Sequence, residues 1–300
     1  MTRPRVTSPA ARTKGVEEWI GLAISPRPSG FAPLLFAGAL EEGLDVAAKL
    51  GFAVVELSLR SPEDVETGRL ASMLSENQLG LAGIATGQAC LFDSLCLASP
   101  DPGVRAAAMG RLSGAVELAA RFGAAVIVGG IRGRLVGSHS EQASQRAGAV
   151  AAIRDCARLA AGLGVTLLLE PINRYETNFV NTAEEGLTLL NEIGAPSMKL
   201  LLDTFHMNIE ERNLGDAVRS AGDRLGYVHI ADSNRQAPGQ GHLDFAEVVD
   251  ALDQIAYRGP LVAEVMPIPD DVGAAQLTAQ FWTRITDEDR STGGMGGPGR

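Results

Sequence analysis

Apolar residues along this chain fall in short, nearly continuous runs separated by longer segments with helical spacing. The runs are WIGLAIS (19–25), AVVELSL (53–59), LGLAGIA (79–85), AAVIVGG (124–130), VTLLLE (165–170), KLLLD (199–203), LGYVHIAD (225–232) and PLVAEV (260–265). They are not strictly alternating, which is how strands buried on both faces of a parallel sheet read. The segments between them carry helix start and stop signals. Pro62-Glu63-Asp64 opens one with acids in its first turn, and Asp101-Pro102 opens another that stops at Gly123. Ser140 is the expected cap of the next, Thr182 with Glu185 spells a capping box, and Asp244 caps a segment that runs towards Gly259-Pro260. Strand and helix alternate eight times between Trp19 and Ile285. That predicts an α/β fold, a single (β/α)8 TIM barrel, with a doubly wound open sheet as the alternative. The glycine-rich stretch GGIRGRLVG follows the fourth run, but it is neither a dinucleotide fingerprint nor a phosphate loop.

Composition narrows the class. The 300 residues are 45% hydrophobic and 21% charged, enough apolar side chain for one large core. The expected organisation is a flexible tail over 1–17, a barrel over 18–286 and a flexible glycine-rich tail over 287–300. The net charge of −10 argues against nucleic acid and anionic membranes as partners. No apolar run approaches the length of about 18 residues that a membrane span needs. The basic N-terminal stretch, with Arg3, Arg5, Arg12 and Lys14, lacks the apolar segment of a secretory signal. The three cysteines, Cys90, Cys96 and Cys156, are odd in number and form no C-x-x-C, so no disulfide framework and a cytoplasmic location are expected.

The last four runs each bring a potential metal ligand to the strand end: Glu170, Asp203, His229 and Glu264. In a barrel the C-terminal ends of all strands converge on one face, so these four aim at a common point. Three carboxylates and one imidazole suit one hard or borderline divalent ion, Mn²⁺ first, with Mg²⁺ or Co²⁺ as alternatives. One acid after one strand is an ordinary helix cap; four in succession are not. Asn173, Arg174, Glu176, His206, Asp232, Asn234, Arg235 and His242 follow closely and describe a polar pocket for a polyhydroxylated ligand. His139, at a helix start, reads as a capping or solvent-facing residue. Arg132 and Arg134, among glycines after the fourth run, are placed to grip a carboxylate or phosphate end of a substrate. Phe31 or Phe36, in the loop after the first run, is a candidate cover for the substrate.

The segments EPINRYETNFVNT (170–182), LLDTFHMNIEE (201–211), HIADSNRQAPGQGHLDF (229–245) and AEV (263–265) resemble the xylose-isomerase-like sugar isomerase/epimerase barrels. The likeness runs over about residues 18–285 and is nearest to 5-keto-L-gluconate epimerase and the ketose (tagatose/psicose) 3-epimerases. The resemblance implies the same metal ligands, Glu170, Asp203, His229 and Glu264, with substrate contacts at Glu176, His206 and Arg235. It also implies a homo-oligomer, dimer or tetramer. The implied reaction is epimerisation beside the carbonyl of a ketose or keto-uronate, with Glu170 and Glu264 as the catalytic pair moving protons through a cis-enediolate. An aldose–ketose or hydroxypyruvate-type isomerase would use the same site, and a non-catalytic sugar binder would leave the paired glutamates unexplained. An endonuclease IV-like phosphodiesterase fits poorly, because a multi-zinc site wants more than the four histidines of this chain.

Overall fold

The computed structural model describes residues 20–30 and 33–292. Eight parallel strands follow one another around a closed barrel: β1 (Ile20–Ile24), β2 (Val54–Ser58), β3 (Gly80–Ala85), β4 (Ala125–Val128), β5 (Leu167–Leu169), β6 (Met198–Asp203), β7 (Leu225–Ile230) and β8 (Leu261–Ala263). β8 pairs back onto β1, with Leu22 opposite Ala263, so the sheet is closed and the open-sheet alternative is excluded. Each strand lies inside an apolar run of the sequence or within one residue of it, because a strand buried on both faces needs apolar residues at successive positions.

The two faces of the strands build two cores. Ala23, Val54, Ala82, Ile127, Leu168, Leu201, Tyr227 and Val262, one from each strand, fill the inside of the barrel. Their neighbours in sequence, such as Leu22, Val55, Val126, Leu167, Leu200, Val228 and Leu261, belong to the larger core under the helices. Since side chains on a strand alternate between faces, the residue two positions beyond an interior residue also points inward, one layer nearer the C-terminal mouth, except on β3, where a register shift sends Ile84 to the outer core and Ala85 inward.

The helices are α1 (Leu40–Lys49), α2 (Thr67–Glu76), α3 (Gly87–Asp93), α4 (Pro102–Phe122), α5 (His139–Leu163), α6 (Ala183–Ile193), α7 (Thr204–Glu210), α8 (Leu214–Ala221), α9 (Phe245–Gln254) and α10 (Asp271–Thr292). α4 starts and stops where expected, with Asp101 accepting from the Gly103 amide and Gly123 left-handed at φ 68°. The Thr182–Glu185 capping box and the Asp244 cap are also formed. Four local expectations are corrected. Pro62–Asp64 is a single 3-10 turn, because Val65 returns to extended backbone; α2 starts later, with the Glu66 carboxylate accepting from Gly68 and Arg69. Ser138, not Ser140, caps α5, since only Ser138 stands three residues before Glu141 and closes a capping box with it. α9 ends at Gln254, short of Gly259. α10 continues to Thr292, past the barrel boundary expected at 286. The expected tail over 1–17 and the last residues from 293 lie outside the described residues.

Two further corrections concern the mouth. Cys90 and Cys96 are joined by a disulfide, their Cα atoms 5.1 Å apart, while Cys156 is free and buried. α3 ends at Ser94 in the left-handed conformation, which turns the chain back and brings Cys96 to Cys90. The case for a reducing compartment built on the cysteine count loses that support. Phe36 is not a cover for the cavity. It is 2% exposed, packs in the core under the helices, and donates its amide to Asp271 at 2.6 Å. Phe31 lies outside the described residues. No helix among the described residues is long and apolar enough to cross a membrane.

Candidate active site

The four acidic and histidine residues at the strand ends stand one step above the interior layer. Leu168, Leu201, Tyr227 and Val262 face into the barrel, and two positions on come Glu170, Asp203, His229 and Glu264. Asp203 and His229 are register partners on β6 and β7, so strand pairing alone sets them side by side. All four are buried, and one ligand atom from each lies within 4.8 Å of the other three. His229 Nδ1 is 3.6 Å from Glu170 Oε1, 3.7 Å from Asp203 Oδ2 and 3.6 Å from Glu264 Oε2.

Those separations are too long for hydrogen bonds, and His229 Nδ1 is a buried nitrogen without a hydrogen-bond partner. Ligands about 2.1 Å from a shared divalent ion lie about 3–4 Å from one another. The orphaned nitrogen and the three facing carboxylates therefore fit a metal ion, with one nitrogen and three oxygens as donors. Asp203 serves twice: Oδ1 caps α7 by accepting from the Phe205 amide at 2.8 Å, and Oδ2 points into the cluster.

Arg235 reaches into the same cluster. It donates to Asp203 Oδ2 at 2.6 Å and also to Glu264, with its guanidinium 4.7 Å over the Phe205 ring. Its backbone is left-handed at φ 63°, a conformation held by the loop around it. Asp232 organises that loop by accepting from the amides of Ser233, Gly239 and Leu243. Burial alone would raise Asp203, but Arg235, His206 and His229 together hold it well below the ordinary carboxylate range. Burial dominates at Glu264 and, against the pull of Arg235 and His229, pushes its carboxyl up to about 8.

Across the site, Asn173 Nδ2 lies 2.9 Å from Glu176 Oε1 and 2.8 Å from His206 Nδ1. An amide N–H donating to Nδ1 leaves the His206 proton on Nε2, which faces Glu170 and Asp203 at 3.9 Å from each. Burial draws the His206 ring below its ordinary value, and the opposing Asp203 charge does not reverse that. Glu170, Glu176, His206, His229, Arg235 and Glu264 open onto one cavity of about 640 Å³, whose outer wall includes Leu91, the Cys90–Cys96 pair, Arg134 and Val136.

Arg132 is a correction. It is 1% exposed, and its guanidinium donates to the carbonyls of Val128, Glu170, Phe179 and Val180 at 2.8–3.2 Å. Burial brings it down to about 10. It ties the end of β4 to the segment after β5 and is not among the residues that line the cavity; Arg134 alone of the pair lines it. Arg174 pairs with Glu210, and exposed His242 bonds Ser233, both away from the cavity lining. Exposed His139 opens α5.

Sequence reading missed Glu56. This glutamate, two positions above interior Val54 on β2, is fully buried, and its Oε2 lies 2.8 Å from His229 Nε2. A lone acid in the middle of AVVELSL was the signal. Gln88 on α3 was also missed; its amide bonds Ser25 and Ser58 at the strand ends beneath the cavity.

The family model for the xylose isomerase-like TIM barrel matches residues 44–284. An L-ribulose 3-epimerase from Methylomonas sp. (strain DH-1) is 38% identical over 230 residues, covering 76% of this chain and 79% of that protein. A D-psicose 3-epimerase from Enterocloster bolteae is 36% identical over 230 residues, 74% of this chain and 75% of that one. Among solved structures, a D-allulose 3-epimerase from Methylomonas sp. superposes with a TM-score of 0.76 at 32% identity, covering 89% of this chain and 97% of that one. These relatives are ketose 3-epimerases by name, one of the two groups to which the motifs pointed. Fold, motifs and relatives agree: the chain belongs to the xylose isomerase-like TIM barrel family, among sugar epimerases.

Proposed function

We propose that this protein is a divalent-metal-dependent epimerase that inverts the carbon beside the carbonyl of a ketose or keto-uronate. The observation that carries the reading is the pair Glu170 and Glu264, two carboxylates from opposite ends of the four-strand arc β5–β8, opening onto one cavity beside the orphaned His229 nitrogen. The names of the relatives support the substrate class, a free ketose epimerised at C3.

Glu170, Asp203, His229 and Glu264 would hold the ion, Mn²⁺ first, with Mg²⁺ or Co²⁺ as alternatives. When bound, such an ion supplies positive charge for the oxygens that become negative as a proton leaves the neighbouring carbon, which contributes several kcal/mol. The protein's own task is to move protons. Inversion needs a base on each face of the carbon, because a single base returns the proton to the side it came from. Glu170 takes the proton on one face to give an enediolate, and Glu264 delivers a proton to the other; the reverse reaction exchanges their roles. His206, with its proton on Nε2, and Arg235 donate to the substrate oxygens, while Glu176 orients a hydroxyl. Asn173, bound to both His206 and Glu176, keeps those two in step. Positioning of this kind matters because a misplacement of about 1 Å costs on the order of a hundredfold in rate.

The test is a panel of ketoses and keto-uronates incubated with the Mn²⁺-loaded protein and read by NMR. A new epimer from at least one ketose is expected; aldose products alone would make the enzyme an isomerase instead.

A further inference from the structure

We infer that Glu56 is a positioning residue that fixes His229 as an Nδ1 ligand, by holding the ring proton on the opposite nitrogen. The inference rests on the metal-site reading above. Glu56 sits on β2 and His229 on β7, across the barrel from each other, and both are within 1% of full burial. Burying a carboxylate is costly unless something compensates it. Its side chain makes a hydrogen bond of normal geometry to His229 Nε2, at 2.8 Å. No lysine or arginine among the described residues is paired with it, so the imidazole is what this carboxylate serves.

The consequence follows from imidazole chemistry. A neutral histidine carries one proton on either ring nitrogen, and a metal takes only the bare one. With Nε2–H donated to Glu56, the Nδ1 lone pair faces Glu170, Asp203 and Glu264. In the other tautomer an Nδ1–H would point at those three carboxylates, bond one of them and exclude the ion. Glu56 therefore selects the state of the ring that can ligate. The ring plane is fixed independently by Tyr227, one layer below, whose ring meets the imidazole edge-on at 83° with centroids 5.5 Å apart. The remaining oxygen, Glu56 Oε1, makes no hydrogen bond of normal geometry, and the buried Tyr227 hydroxyl is the other group that interacts with this carboxylate.

Two measurements decide the matter without using catalysis. Mn²⁺ titrated into metal-free protein by calorimetry should bind Glu56→Gln about 10- to 100-fold more weakly than wild type. In wild-type protein loaded with diamagnetic Mg²⁺, the imidazole ¹⁵N spectrum of His229 should show Nε2 protonated and Nδ1 bare. Equal Mn²⁺ affinity in the two proteins, or a proton on Nδ1 in the loaded wild type, overturns the inference. The second measurement needs no variant and stands even where Glu56→Gln does not fold. A wild-type protein that binds neither ion overturns the metal reading together with this inference; tight wild-type binding with an unchanged variant overturns this inference alone.

Discussion

Gly129 and Glu170 share one space at the ends of β4 and β5. A Cβ on residue 129 would fall inside contact distance of Glu170 Oε2 and 3.2 Å from its Cδ. The glycine is there because its neighbour's carboxylate fills the place of a side chain. Gly129→Ala is therefore expected to push the end of the Glu170 side chain out of the cluster. Because that end is flexible, melting temperature should change by only a few degrees, while turnover falls about a hundredfold. Calorimetry with Mn²⁺ and a rate measurement check both halves; an alanine variant with full activity would remove Glu170 from the reaction.

Asp203 couples a helix cap to the proposed metal site, and Asp203→Asn separates the two. The neutral amide is a poorer ligand, and Mn²⁺ affinity should drop at least about tenfold. The cap on α7 should survive, because the asparagine amide oxygen can still accept from the Phe205 amide. Chelator treatment of wild type should abolish activity, and added Mn²⁺ should restore it. An Asn variant with full metal content and activity would refute the assignment.

The two arginines after β4 should separate cleanly. Arg132→Met removes a donor from four carbonyls, of which those of Val128 and Val180 keep a backbone amide, and should cost about 3 kcal/mol in a denaturation experiment. Arg134 is exposed, lines the cavity and donates to the Tyr175 carbonyl at 3.0 Å. Arg134→Met should leave stability within about 0.5 kcal/mol of wild type. It should raise KM for a keto-uronate more than for a neutral ketose, and equal effects on both would show that this arginine does not read an acidic end.

The two-glutamate reading predicts the fate of hydrogen. In D₂O the product should gain one deuterium at the inverted carbon and none at its neighbours, since the proton delivered by the second glutamate exchanges with solvent. Glu264→Gln should stop epimerisation, with exchange surviving only on the face served by Glu170. Product without deuterium at the inverted carbon would rule out the two-base scheme even with the metal site intact.

Asp232 gives a pH dependence of stability. Burial alone would raise its carboxyl, but amides of Ser233, Gly241, Leu243 and Gly239 hold it below the ordinary carboxylate range. A carboxyl lowered in the folded state contributes stability that is complete above its unfolded value, about 3.9, and is lost as pH falls through the lower folded value. The melting-temperature gap between wild type and Asp232→Asn should thus be constant from pH 7 to about pH 5 and close below about pH 4. A gap that widens on acidification would mean that the loop around Arg235 is held by something other than this carboxylate.

The order of strands, the barrel and the meeting of four residues that could hold a metal ion were legible in the sequence, because each depends on local pattern. A strand buried on both faces writes itself as a continuous apolar run, and a barrel brings all strand ends to one face whatever the details of packing. Glu170, Asp203, His229 and Glu264 stand out because each is a polar residue at the end of such a run. The pattern along the chain does not say what stands opposite a residue across the barrel. Glu56 meets His229 from 173 positions away, so its role is set by closure of the sheet. Arg132 has the sequence context of a mobile basic loop, yet closure folds the segment at 179–180 over it and turns its donors to backbone carbonyls. Cys90 and Cys96 meet because Ser94 turns left-handed at the end of a short helix, a conformation that counting cysteines does not reveal. Periodicity decides which residues face inward; only the packed structure decides which of them meet, because contacts between distant segments form when the barrel closes.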